Sequence, residues 1–215
     1  MYRDHLQRWS FFYIMEESSK EFLLHNVPGI TRDDIEILAP YTTVRTFKSG
    51  ETYIKAGENN RKVYFIKSGI VRVYHLEDNG TEKTILFHNK KSFFGNYDGI
   101  IYNQPSRYFY QSIGETELFE LTYDAVHLGS QKSLTINNLR AEMFLAMIGI
   151  LLQNIEDFVL LNPEARYQKH LEENAKVLQK VPSKYIADLA PRRSRSRTGK
   201  NISTAYPSVV CLGNG

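Results

Sequence analysis

The chain has 215 residues, of which 42% are hydrophobic and 13% aromatic, enough apolar material for a packed core and too much for disorder along the whole length. A net charge of +3 is too small to argue for nucleic-acid binding, although Arg192 to Lys200 holds five basic residues and no acid. The single cysteine, Cys211, excludes an internal disulfide, a cysteine-ligated cluster and a zinc knuckle within one chain.

Residues 1–14 allow two readings: an extension upstream of a start at Met15, or an N-terminal helix that packs its aromatics on the domain. The apolar patch from Trp9 to Met15 runs straight into Glu16 and Glu17 and carries no cleavage pattern. Thr31-Arg32-Asp33-Asp34 reads as a helix start, with Thr31 as cap and two acids in the positive first turn, and Pro40 stops that helix.

From Thr42 to about Leu121 the period is two. Val63 and Phe65 alternate with Tyr64 and Ile66; Val71 and Val73 alternate with Arg72 and Tyr74. Asp78-Asn79-Gly80 predicts a tight hairpin, because Asn-Gly tolerates the positive φ of such turns. Tyr108, Tyr110 and Ser112 alternate with Phe109, Gln111 and Ile113. Many short antiparallel strands punctuated by glycine predict a sandwich, roll or barrel.

Leu134 to Phe158 reads as one helix with two apolar stripes: Leu139, Met143, Ala146 and Ile150, and then Phe144, Ile148, Leu151, Ile155 and Phe158. One stripe can cover the roll of its own chain; the other asks for a partner, most economically the same helix of a second copy. A homodimer is expected, with Leu139, Met143, Ala146 and Ile150 assigned to its interface. The longest apolar run, Met143 to Leu152, is interrupted by Gly149 and falls short of the ~18 apolar residues of a membrane span. A soluble cytoplasmic protein with no membrane partner is expected. Asn162-Pro163 breaks and restarts the helix, Ala165 to Val181 is helical, and Pro182 to Leu189 opens another short helix. After Ala190 the periodicity ends, and a disordered basic tail is expected over 191–215.

This order of parts resembles the catabolite-activator and fumarate-nitrate regulator (Crp/Fnr) family over about residues 30–190. The segments that carry the resemblance are Phe47–Glu51, Tyr64–Arg72, Phe93–Asn96 and Val181–Ala187; Arg166-Tyr167 is similar to a subgroup common in Bacteroidetes-type bacteria. The resemblance implies an α+β chain: an N-terminal extension (1–29), a cyclic-nucleotide-binding-like jelly roll (30–131), a dimerisation helix (132–161) and a partial winged helix-turn-helix (162–190). It implies a transcription regulator whose roll senses a small molecule, and no enzyme, cofactor or metal.

Cyclic-nucleotide sites of this family use a Gly-Glu pair for the ribose hydroxyl and an Arg-Ser/Thr-Ala run for the phosphate. This chain has Gly95-Asn96 and Ser106-Arg107-Tyr108 instead: no carboxylate, an arginine one position away, and a bulky tyrosine. The candidate ligand residues are Gly95, Asn96, Tyr97, Arg107 and Tyr108, and the effector is expected not to be cyclic AMP. His75, His88 and His127 are scattered and read as structural.

Candidate DNA-binding residues are Ser183, Lys184, Tyr185, Arg192, Arg193 and Arg195. The family's turn and recognition helix are missing, however, and Pro191 to Lys200 stands in their place. One possible coding of Pro191–Arg197, read in another frame, yields Pro-Gln-Glu-Ser-Leu-Ser, which resembles a recognition-helix start; a frame change near 189–191 is one origin for the tail, a divergent basic tail the other. DNA binding is therefore expected to be weak or impaired. The second functional reading is a ligand-binding or interaction module without productive DNA binding.

Overall fold

The computed structural model describes residues 15–173 and 175–187, together with short strands at 193–195, 201–203 and 211–212. Two helices, α1 (Glu17–Asn26) and α2 (Arg32–Leu38), precede the sheet. The expected cap at Thr31 is a full capping box: Thr31 Oγ1 accepts from the Asp34 N–H at 3.2 Å and the Thr31 N–H donates to Asp34 Oδ2 at 2.9 Å. Ser133 donates to the other Asp34 oxygen, tying α2 to the start of the long helix. Burial alone pushes Asp34 up, but the Ser133 and Thr31 bonds outweigh it and hold this carboxyl below its ordinary range.

Antiparallel strands β1 (Thr43–Phe47), β2 (Thr52–Ile54), β3 (Lys62–Leu76), β4 (Glu82–Asn89), β5 (Phe93–Gly95) and β6 (Phe109–Thr122) form the roll. The main path is β1-β6-β3-β4, with β2 on β6 and β5 on β3. The predicted hairpin joins β3 to β4, with Gly80 at φ 82°. Gly69 sits where the two longest strands bulge past each other; its φ is +93°, and a Cβ there would lie 2.4 Å from Thr116 Oγ1. Only glycine meets both conditions.

Both faces of β3 are buried over most of its length. Tyr64, Ile66, Val71 and Val73 point into the roll with Phe47, Ile54, Phe94, Tyr110 and Leu118. Phe65 points outward but is covered by Met15 and Val27, which flank α1, and by Ile35 of α2, with Phe22 stacked on Phe119 at 6.0 Å. Ile70, Phe87 and Ile113 are covered by Leu178 and Val181 of the C-terminal segment. Arg72 and Tyr74, alternating with the valines, are buried under the same cover.

After β6 come α4 (Tyr123–Lys132), α5 (Leu134–Leu160), α6 (Pro163–Glu173), α7 (Ala175–Leu178) and α8 (Ser183–Ala187). Ser133 caps α5 through the Ile136 N–H at 3.2 Å, and Asn162 caps α6 through the Ala165 N–H at 2.9 Å. Buried Arg166 reaches back to the Asp157 and Phe158 carbonyls at 3.5 and 3.4 Å, so a cation closes the negative end of α5. In the tail, where no element was anticipated, β7 (Arg193–Arg195) pairs with β8 (Asn201–Ser203), and β9 (Cys211–Leu212) lies parallel to β4. Edge pairing uses backbone groups and needs no apolar face.

Candidate effector site and regulatory surfaces

The sequence-predicted ligand residues converge where β5 turns into α3 (Tyr97–Tyr102) and the following loop enters β6. Asn103, left-handed at φ 52°, ends α3 and turns the chain so that Arg107 returns alongside it. The helix sits tightly on the sheet: a Cβ at Gly95 would lie 2.8 Å from Ile100 Cδ1, and one at Gly99 2.2 Å from the Asn60 carbonyl.

Arg107 is already bound. Its Nε lies 3.0 and 3.1 Å from the two Asp98 oxygens, its Nη2 2.9 Å from Oδ1, and its backbone N–H 3.1 Å from Oδ2. Guanidinium and N–H are the donors that would cradle a phosphate, and the Asp98 carboxylate occupies them. Burial pushes Asp98 up, but the Arg107 bonds and charge outweigh it and hold the carboxyl ionised, below its ordinary value. Asn96 is fully buried and spends its amide on the Asn60 carbonyl at 3.1 Å. The Tyr97 phenol is pushed up to about 12 by burial. Tyr108 packs against the interior cluster, its ring 5.4 Å below the Arg107 guanidinium.

The interior of the roll is filled by aromatic side chains. Tyr64 stacks on Phe94 at 4.8 Å, Phe94 on Tyr110 at 5.9 Å and on His88 at 5.0 Å, with Tyr53 at 6.2 Å. Tyr110 donates to the Gly95 carbonyl at 3.2 Å, closing the floor beneath the candidate residues. Sequence reasoning found Arg107 and missed Asp98; the available signal was an acid in the helix that opens one residue after Asn96.

The candidate DNA-binding residues divide. Ser183 and Lys184 are exposed on α8. Tyr185 lies on the roll instead: the wholly buried Arg72 guanidinium sits 3.8 Å from its ring centroid and 4.4 Å from that of Tyr74. Arg72 also donates to Thr84 at 2.9 Å and pairs with Glu82 at 2.5 Å, while the Tyr185 hydroxyl meets Gln111 at 3.4 Å. Arg193 and Arg195 lie in β7, and Arg192 lies outside the described residues.

On α5, Leu139 and Met143, assigned by sequence to the dimer seam, pack on the roll and N-terminal helices of their own chain. Ala146 is exposed and Ile150 half-buried; the bare stripe is Ile148, Leu151, Ile155 and Phe158, each about half exposed (49–59%). The home domain takes the Leu139 and Met143 end of the first stripe because α4 delivers α5 to the roll at Ile136, which is buried. By length and composition alone α5 could cross a membrane, which the sequence reading did not anticipate. Its uncharged stretch, Met143 to Ile155, is only 13 residues. At about 1.5 Å per residue it spans roughly 20 Å of an apolar layer about 30 Å thick. His75, His88 and His127 stay apart: His75 against Tyr108, His88 in the roll, His127 on Arg140.

A roll of this strand order, with a short helix between β5 and β6 and a long helix after it, defines a cyclic-nucleotide-binding-type domain. Residues 44–128 match the family model of the cyclic nucleotide-binding domain, from β1 into α4. FixK2 from Bradyrhizobium japonicum is similar at 19% identity over 69% of this chain and 76% of its own, with a TM-score of 0.55. The sensor domain of the transcriptional regulator DNR from Pseudomonas aeruginosa is similar at 18% identity over 67% and 96%, with a TM-score of 0.53. The chain spans less than half (46%) of the regulatory domain of Toxoplasma gondii PKA, solved with cAMP, at 20% identity over 54% of its own length and a TM-score of 0.48. Likeness at these identities is likeness of fold. Comparison with curated proteins gives no match.

Proposed function

We propose that this chain is a Crp/Fnr-type transcription regulator: a sensor roll that answers to an effector other than cyclic AMP, dimerised through α5, with a weakened DNA-binding end. The observation that carries this reading is the order of parts: a cyclic-nucleotide-type roll (44–128) running into a long helix with one stripe committed to the roll and one left bare. The sensor domain of the transcriptional regulator DNR and FixK2 have the same fold. The bare stripe suits a second copy of itself, since two such faces bury each other.

Two features argue against cyclic AMP. Asp98 holds the donors of Arg107, and aromatic rings fill the roll. A phosphate would have to displace a carboxylate bound through both side chain and backbone. Calorimetry with cyclic AMP should find no sub-micromolar binding.

A second reading, an interaction module without productive DNA binding, is favoured by Tyr185 on Arg72, since a residue stacked on the roll is not free to face DNA. Sequence selectivity needs base-edge contacts from a positioned helix, whereas arginines on phosphates give only salt-sensitive, unselective binding. A gel shift at fixed salt, comparing a fragment upstream of the gene with a scrambled one, tests the weakened end. An affinity ratio near one is expected, rising strongly once the alternative frame after codon 189 is restored. A large ratio for the chain as it stands, or no rise on restoration, would overturn this account of the DNA-binding end.

A further inference from the structure

Where α1, α2, the outer face of the roll and the first turns of α5 meet, the packing leaves an apolar cavity of about 90 Å³. Val27, Ile35, Phe65, Phe119, Leu139 and Met143 are among its walls. None of the candidate residues around Asn96 and Arg107 lines it, so it is distinct from the cyclic-nucleotide position.

Among the described residues, Arg140 is the one charged residue that lines this cavity. The same arginine lines a polar recess next door, with Arg61, Asp124 and His127. Arg61 there is paired with Asp124 at 3.3 Å. Arg140 bonds to His127 Nδ1 and Asn137 Oδ1, each at 3.0 Å, and among the described residues no carboxylate pairs with it. An apolar void and a half-buried cation without a counter-ion thus share one rim. The void forgoes packing contacts, and the guanidinium fork has no carboxylate on it.

We propose that this rim binds a small amphipathic organic acid, its aliphatic end in the cavity and its carboxylate on Arg140. An apolar cavity of about 150 Å³ holds a six-carbon ring, so one of about 90 Å³ takes roughly three or four carbons, with the remainder of a short chain crossing the rim. Such a ligand touches α5 at Ile136, Leu139, Arg140 and Met143, and so fixes the seat of the helix that carries the bare stripe. The site is read from binding alone and stands whether or not the chain reads DNA.

The test uses the full chain with methyl-labelled methionine, titrated with hexanoate, hexanamide and acetate. Met15 and Met143 line the cavity, so hexanoate should shift both methyl signals saturably and acetate should leave them unmoved. Hexanamide should bind at least tenfold more weakly, as loss of a charge-assisted bond implies. Arg140→Gln should remove the preference for acid over amide, and Leu139→Phe, checked for native circular dichroism, should weaken both ligands. Arg140→Gln keeps the test decisive if the filled variant does not fold. Hexanoate at millimolar concentration leaving both methyls unmoved, acid and amide binding equally, or an unchanged preference in Arg140→Gln would each overturn the proposal.

Discussion

His88 lies within β4, wholly buried, its ring stacked on Phe94 at 5.0 Å and its Nδ1 without a hydrogen-bond partner among the described residues. Burial disfavours the imidazolium and pushes this histidine down to about 3 from an ordinary 6.5. The folded value lies below the unfolded one, so the neutral ring contributes stability in full above about pH 6.5, and that contribution is lost as pH falls towards 3. At about pH 4.5, two units below the unfolded value, the loss is about 3 kcal/mol, at roughly 1.4 kcal/mol per unit. His88→Phe keeps a ring against Phe94 and removes the titration. Urea unfolding of both proteins at about pH 7 and 4.5, at fixed protein concentration, isolates the term, because the carboxylates that also titrate are common to both. The wild type should lose about 3 kcal/mol more than the variant over this interval. A parallel loss in the two proteins would refute the buried neutral imidazole.

Leu151→Glu places a charge in the bare stripe of α5 and should convert dimer to monomer in light scattering at tens of micromolar; a wild type that is already monomeric there refutes the dimer. Tyr185→Ala uncovers the buried Arg72 guanidinium and removes a cation–π contact of roughly 1–2 kcal/mol, so amide exchange across α8 should speed up while the interior strands stay protected. Unchanged exchange at 183–187 would show that the stack does not hold α8 on the roll. Asp98→Ala leaves the Arg107 guanidinium and N–H without their acceptor and should lower stability by about 1–3 kcal/mol, read as a shifted urea midpoint. Since Asp98 is held ionised in the fold, its contribution is full above the ordinary carboxylate pKa and lost in acid, so the variant should also be less acid-sensitive.

The features legible in the sequence depend on a few neighbouring residues. The Thr31 capping box, the Asn79-Gly80 hairpin, the Asn162 cap and the length of α5 each follow from bonds or periodicities closed within a turn or two of chain. The roll itself was legible because strand alternation and glycine punctuation repeat along 42–121. What escaped depends on partners far along the chain. Arg72 alternates with valines as a solvent-facing residue does, and only the arrival of Tyr185 makes it buried. Arg107 looked like a near-miss for a phosphate ligand, and only the turn at Asn103 brings Asp98 to fill that role from within. Both stripes of α5 were visible, but which one faces home was decided by where α4 sets Ile136 on the roll, and that choice left Leu139 and Met143 inside and Ile148, Leu151 and Ile155 bare. Periodicity specifies that a face is apolar; the neighbour it meets is chosen by the packing of elements distant in sequence.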